Sequence, residues 1–232
     1  MGKNMNLKHV LNESLPSYIT TLPYSKIKTK FRPFLVKEEK KLLILEETSN
    51  KKEIYNGIIE VLNSCYDSID FNKIPIFEVE YCFLKLRSKS VGEIINPKIT
   101  CPVTNEKHMV EINLNDIKLM IPKQDSIIDI DKNLKIKLKY PTVNEISDNS
   151  SDINELVANC IVYFESLDEQ VDSSNFSQDE IIDFLDHLTV AQYEKILTFF
   201  ENMPSVPISV DYKTNDGVER TLVLKTLKDF FT

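Results

Sequence analysis

The side chains able to do chemistry in this chain are few and scattered. Two carboxylate pairs have the spacing of an acid and its base, Glu38 with Glu39 and Asp183 with Asp186. Such pairs work as general acid and base when a desolvated pocket surrounds them. Both fall on what read as exposed helical faces, and the sequence offers no apolar wall around either. His9, His108 and His187 stand far apart, with no Gly-x-Ser-x-Gly elbow to go with them. Four glycines in 232 residues leave no phosphate loop and no dinucleotide fingerprint. The four cysteines are irregularly spaced. Cys65, Cys82 and Cys160 lie in apolar helical patterns and read as small core hydrophobes, kept reduced in a cytosol. These residues imply no catalytic group and no cofactor.

Two short runs stand out instead, Phe31-Arg-Pro-Phe-Leu-Val-Lys-Glu-Glu-Lys40 and Phe83-Leu-Lys-Leu-Arg-Ser-Lys-Ser-Val-Gly-Glu93. Pro33 holds Arg32 extended. The pattern then predicts a helix over 36–47, with Leu42, Leu43, Ile44 and Leu45 on its buried side and Lys37, Lys40 and Lys41 in water. A second helix fits 51–66, with Ile54, Ile58, Val61, Leu62 and Cys65 on one stripe. A third fits 75–89, opened by Pro75 and stopped by Gly92. Its apolar face is too broad for one partner helix, which places it centrally. Arg32, Lys85, Arg87 and Lys89 read either as a solvated cationic face or as a partner-docking surface, and Arg87, among apolar contacts, is the strongest docking candidate.

The net charge is −8, which argues against nucleic acid. The charge is also uneven. Residues 1–60 hold 11 Lys/Arg against 7 Asp/Glu, a net of +4, whereas residues 145–202 hold 14 Asp/Glu against one Lys, a net of −13. This polarity suits head-to-tail or hetero-association; the plainer reading is an acidic solvated helical face. No window reaches the ~18 apolar residues of a membrane span, and the N-terminus lacks the apolar stretch of a secretory signal.

The rest of the chain completes an α+β pattern: an N-terminal helical block with β-hairpins, then a C-terminal helical segment and a terminal β-hairpin. Three segments are expected: an N-terminal arm at 1–22, a helical block with hairpins at 23–142, and a helical segment with the last hairpin at 143–232, which can pack with the part before it. Extended segments flank a turn near Tyr24-Ser25-Lys26. A hairpin spans 99–117 about Thr104-Asn105-Glu106, and a strand pair covers 127–130 and 134–140. A helix is expected over 151–167 and a polar acidic loop over 168–176. Two capping boxes, Ser177 with Glu180 and Thr189 with Gln192, open the last helices. The final hairpin, 208–224, leads to an aromatic tail at 227–231 that should dock. The hairpins at 99–117 and 208–224 align without a gap at an offset of 110 residues, so that Thr104-Asn105-Glu106 falls on Thr214-Asn215-Asp216; two hairpins related this way could pack face to face.

The two central runs, with Lys135-Ile-Lys-Leu-Lys-Tyr-Pro141 and Thr198-Phe-Phe-Glu-Asn-Met-Pro204, resemble the baseplate hub proteins of T-even-type contractile-tailed phages over most of the chain beyond residue 20. The resemblance implies a non-enzymatic hub subunit or hub assembly factor, made late in infection. It would dock on other baseplate hub and tail proteins, in the virion tail baseplate or in the host cytoplasm during assembly, without nucleic acid, membrane or small molecule. Arg32, Phe34, Arg87 and Lys89 are the residues that would make or brace such contacts. Members of that family often carry a Cys-x-x-Cys knuckle at each hairpin. Here Cys101 remains, but Thr104 takes the second position, and Asp211 and Thr214 replace both in the later hairpin. Cys101 with His108 falls short of the four N or S ligands of tetrahedral zinc, so no metal is expected. The alternatives are a tail-associated cell-wall hydrolase and an adaptor built on a degenerate zinc ribbon.

Overall fold

Residues 15–145 and 153–224, apart from 46, 49 and 168, are described by a computed structural model. Residues 1–14 of the expected arm at 1–22 and the aromatic tail at 227–231 lie outside the described residues. The chain is α+β. Tyr18–Thr21 (β1) and Lys28–Phe31 (β2) pair antiparallel, closed by a turn in which Lys26 takes a left-handed φ of 61°. Val36–Leu45 (α1), Lys51–Cys65 (α2) and Ile76–Ser90 (α3) follow. Asn50 caps α2 by accepting from the Glu53 amide, the short polar cap that satisfies an orphan donor.

The α3 helix is central, as its broad apolar face predicts. Phe77, Val79, Cys82, Phe83, Leu84 and Leu86 are all buried, and all but Phe77 join a core with Leu22, Phe31, Ile58, Leu62 and Phe71. The α1 helix differs from expectation. Leu42 alone is fully buried, Leu45 is partly so, and Leu43 and Ile44 are 55 % and 70 % exposed. Four consecutive apolar residues wrap more than one helical turn, and a helix lying on a single neighbour can bury only one stripe of them. That neighbour is α2, which approaches closely at Gly57: a Cβ there would lie 2.4 Å from Leu45 Cδ1.

Small antiparallel ribbons come next. Ile94–Ile95 (β3) and Ile112–Asn113 (β6) enclose the hairpin of Lys98–Thr100 (β4) and Lys107–Met109 (β5), with Asn105 at φ 57° in its turn. Val110, Ile112 and Leu114 are buried, as their alternation predicts, but only Ile112 lies in a ribbon: Val110 falls between β5 and β6, and Leu114 opens a 3-10 turn.

Ile127–Asp129 (β7) and Leu134–Leu138 (β8) pair as expected. Beyond them the helix expected over 151–167 is Ile153–Cys160 (α4) only, and Ile161–Ser166 (β9) continues as a strand on β8. The expected acidic loop contains Gln170–Asp172 (β10), which extends the sheet to the order β10-β9-β8-β7. Ile161-Val-Tyr-Phe164 is β-branched and aromatic, the composition a pleated sheet prefers, and the open edge of β8 supplies its partner.

Both capping boxes form, opening Gln178–Asp186 (α5) and Val190–Glu201 (α6). The helices α4 to α6 pack on the β7–β10 sheet in a second core of Ile130, Ile136, Leu138, Val157, Ile196 and Phe199. Ile208–Lys213 (β11) and Glu219–Leu224 (β12) then return to the first core through Val210, Tyr212 and Leu224. Aromatic rings join the cores. Tyr24 meets Phe77 and Tyr140 edge-on at 5.3 and 5.4 Å, and Tyr140 stacks on Phe199 at 4.8 Å.

Candidate docking surface

The Arg32–Phe34 strap crosses from β2 to α1 over the end of α2. The guanidinium of Arg32 is spent inward. It donates to the carbonyls of Pro33 and Ser64, both at 2.9 Å, to Glu38 at 3.2 Å and to the Cys65 sulfur at 3.6 Å. Glu38 is 3 % exposed. Its second oxygen accepts the Leu35 amide at 2.8 Å, and Lys37 Nζ lies 3.2 Å from the first. Burial acts to raise the Glu38 carboxyl, but the Leu35 amide, Arg32 and Lys37 outweigh it and hold it below the usual carboxylate range. Burial pushes the Cys65 thiol up to about 11, against the pull of Arg32. Phe34 packs on the first core and its amide donates to Ser90 Oγ at 3.0 Å, which ties the strap to the end of α3.

Arg87 and Lys89 lie on the last turns of α3, both half-buried. Lys89 pairs with Glu93 at 2.6 Å, and its ammonium lies 5.8 Å above the Tyr18 ring. The structure thus gathers Phe34 and Lys89 about the C-terminal end of α3, through Ser90 and Tyr18, while Arg32 grips the joint of α1 and α2. What sequence reasoning missed is Glu38, taken there for an exposed acid, and the outer face of α1. On that face Val36, Leu43 and Ile44 are 65 %, 55 % and 70 % exposed at helical spacing, with Lys37, Lys40 and Lys41 exposed around them. The spacing itself was the available signal: 36, 43 and 44 fall on the side opposite Leu42.

The two carboxylate pairs do not converge on a pocket. Asp183 and Asp186 are exposed on α5, with Asp186 accepting from Asn154, and Glu38 is occupied as above while Glu39 faces water. Among the described residues, no group of three or more His, Cys, Asp or Glu is placed to hold a metal ion, and no helix is long and apolar enough to cross a membrane.

The aligned hairpins meet in space. Glu106 accepts from the Asn215 backbone at 3.2 Å and from its side chain at 2.8 Å, and His108 lies 5.0 Å from the Tyr212 ring. The Asn215 amides, acting against desolvation, hold the Glu106 carboxyl low. Cys101 is fully buried here. The Thr104 side chain and the Tyr212 hydroxyl pull its thiol down to about 6, and Tyr212 is raised in return. A thiolate so covered should resist alkylation at neutral pH despite its ionisation. Glu106→Ala, by loosening the two turns, is expected to speed iodoacetamide labelling of Cys101 about tenfold, since losing hydrogen bonds worth ~1–1.5 kcal/mol raises local opening by that factor. Peptide mass spectrometry reads the result.

The profile of the T4 bacteriophage base plate protein family matches residues 15–232. The chain belongs to that family. No curated protein and no solved structure matches it. A T4-type baseplate protein works among other tail and baseplate proteins, so its surfaces matter as places of contact. In this baseplate protein the strap residues Arg32 and Phe34 point into the fold, while α1 turns Val36, Leu43 and Ile44 outward.

Proposed function

We propose that this baseplate protein is a non-enzymatic hub component or hub assembly factor that acts by docking on other hub and tail proteins, in the virion tail and in the host cytoplasm during assembly. The observation that carries the reading is the outer face of α1, where three large aliphatic side chains stand in water on a helix clamped from beneath by Arg32 and Glu38. Exposed apolar groups collected on one rigid face mark contact sites, and a surface held by buried hydrogen bonds loses little entropy on docking. In this reading Arg32, Phe34 and Lys89 brace the surface, and Arg87 supports it from α3.

The test is incorporation. A phage carrying Leu43→Asp with Ile44→Asp should make a folded, soluble protein that co-purifies with tails at least about tenfold less than wild type, because covering each of these side chains is worth ~1.5–3 kcal/mol. Quantitative mass spectrometry of particles beside the infected-cell lysate measures it. Presence in the lysate and absence from particles favours the assembly factor, and presence in both favours the hub component. Undiminished co-purification of the variant, or peptidoglycan turnover by the purified protein, would refute the reading.

A further inference from the structure

We infer that the partner seated on α1 is a second copy of this chain, held head to tail against α5 and α6; this rests on the reading of α1 as a docking face. The two surfaces are complementary in sign. On α1 the exposed aliphatics are flanked by Lys37, Lys40 and Lys41, against one exposed acid, Glu39. Lys37 and Lys41 also meet Glu38 and Glu60 at 3.2 and 3.0 Å. The Lys41–Glu60 pair is exposed on both sides, and the Lys37 side chain is 71 % exposed, so both ammonium groups remain open to exchange with a partner's carboxylate.

The opposite surface lies on the second core. Asp179, Asp183 and Asp186 are exposed and recur at three-to-four spacing along one face of α5. Val190, 75 % exposed, opens α6, and Glu194 follows one turn on. The cations nearby do not cancel this charge. Lys195, the single lysine between 145 and 202, turns its ammonium inward onto the carbonyls of Asp129 and Ile130 at 2.8 and 2.9 Å. His187, 3.5 Å from Asp183 and raised by the Asp183 carbonyl and carboxylate, offsets part of that one charge and leaves those of Asp179, Asp186 and Glu194. A cationic aliphatic ridge and an anionic face with its own exposed valine are thus carried on different cores of one chain. A contact between them is heterologous, so a pair of copies still has one free ridge and one free acidic face, and the assembly closes into a ring or extends as a filament.

The experiment is sedimentation velocity on the full chain at roughly 100 µM, in the range where modest interfaces populate. Association is expected at low salt, weakening about tenfold or more as ionic strength rises to physiological values and beyond. A charge swap then identifies the faces. Lys37→Glu with Lys40→Glu and Lys41→Glu should be monomeric alone, as should Asp179→Lys with Asp183→Lys and Asp186→Lys. Mixed, they should associate, because each then offers the sign that the other lacks. A wild-type chain monomeric at every salt concentration, or two folded variants that ignore each other when mixed, would overturn the inference. If the wild type is monomeric while the Leu43 and Ile44 variant is still lost from tails, α1 docks on another protein: the proposed function stands and the second copy falls.

Discussion

Glu38→Ala is expected to destabilise the protein by about 3 kcal/mol, lowering the melting temperature by roughly 6–12 °C for a chain of this size. The carboxylate is buried and answers three groups, the Arg32 guanidinium, the Leu35 amide and the Lys37 ammonium. Removing it leaves the Leu35 amide without its acceptor and a largely covered guanidinium, 23 % exposed, without its counter-charge, and unanswered buried groups cost more than their bonds contribute. Arg32→Met should cost less, since the stem can still pack and the Pro33 and Ser64 carbonyls are simple acceptors. Combining the two should cost less than their sum by about 1–3 kcal/mol, the coupling of residues in one network. The pH dependence follows from the depressed Glu38 carboxyl. Its stabilisation is fully present above the ordinary carboxylate range and is lost as the pH falls through the lowered folded value. Glu38→Gln should therefore flatten the acid limb of stability and leave the slope at neutral pH unchanged. Urea titrations across that range decide it. An acid limb identical to wild type would show that Glu38 is not the group responsible.

The three-helix block was legible because its signals are local: the Asn50 cap, Pro75 before α3 and stripes of aliphatic residues at helical spacing. The same holds for the capping boxes and for the strand pair split by Asp131-Lys132-Asn133, where Asp131 accepts the amides of Asn133 and Leu134 at 2.8 and 3.0 Å. What stayed hidden depends on distant partners. Glu38 is buried because Arg32, held at the end of α2 through Ser64 and Cys65, reaches it, and nothing within α1 announces that. Leu43 and Ile44 are as apolar as Leu42, and only the single-sided packing of α1 on α2 decides which of them meets water. Residues 161–166 carry apolar positions at both helical and alternating spacing; the free edge of β8 selects the strand. The sequence marks Arg32, Phe34, Arg87 and Lys89 within its two conspicuous runs; the fold turns Arg32 inward at the joint of α1 and α2 and ties Phe34 to the end of α3. The exposed ridge beside that joint was hidden, because exposure belongs to the packing.

Glu78→Ala is the second large effect, at about 2–5 kcal/mol, because it unties the β1–β2 turn from the start of α3. Glu78 is fully buried, and one carboxylate oxygen accepts the amides of Tyr24 and Ser25 at 2.7 and 2.9 Å. Truncation leaves two amides without an acceptor, at ~1–3 kcal/mol each, and loosens Tyr24 from the rings of Phe77 and Tyr140, where the two cores join. Among the described residues the other carboxylate oxygen is buried without a hydrogen-bond partner, as is the Ser25 hydroxyl. Glu78→Gln keeps the accepting oxygen, removes a buried charge and offers an amide N–H₂ in place of the orphan oxygen. An isosteric loss of buried charge is often neutral or stabilising, so this variant should lie within about 1 kcal/mol of wild type and on either side of it. The contrast separates two roles for the carboxylate. If its charge holds the turn, Gln fails as Ala does; if its geometry does, Gln succeeds where Ala fails. Chemical denaturation of the three proteins, followed by tyrosine fluorescence, distinguishes them, and equal losses for Gln and Ala would rule out the geometric account.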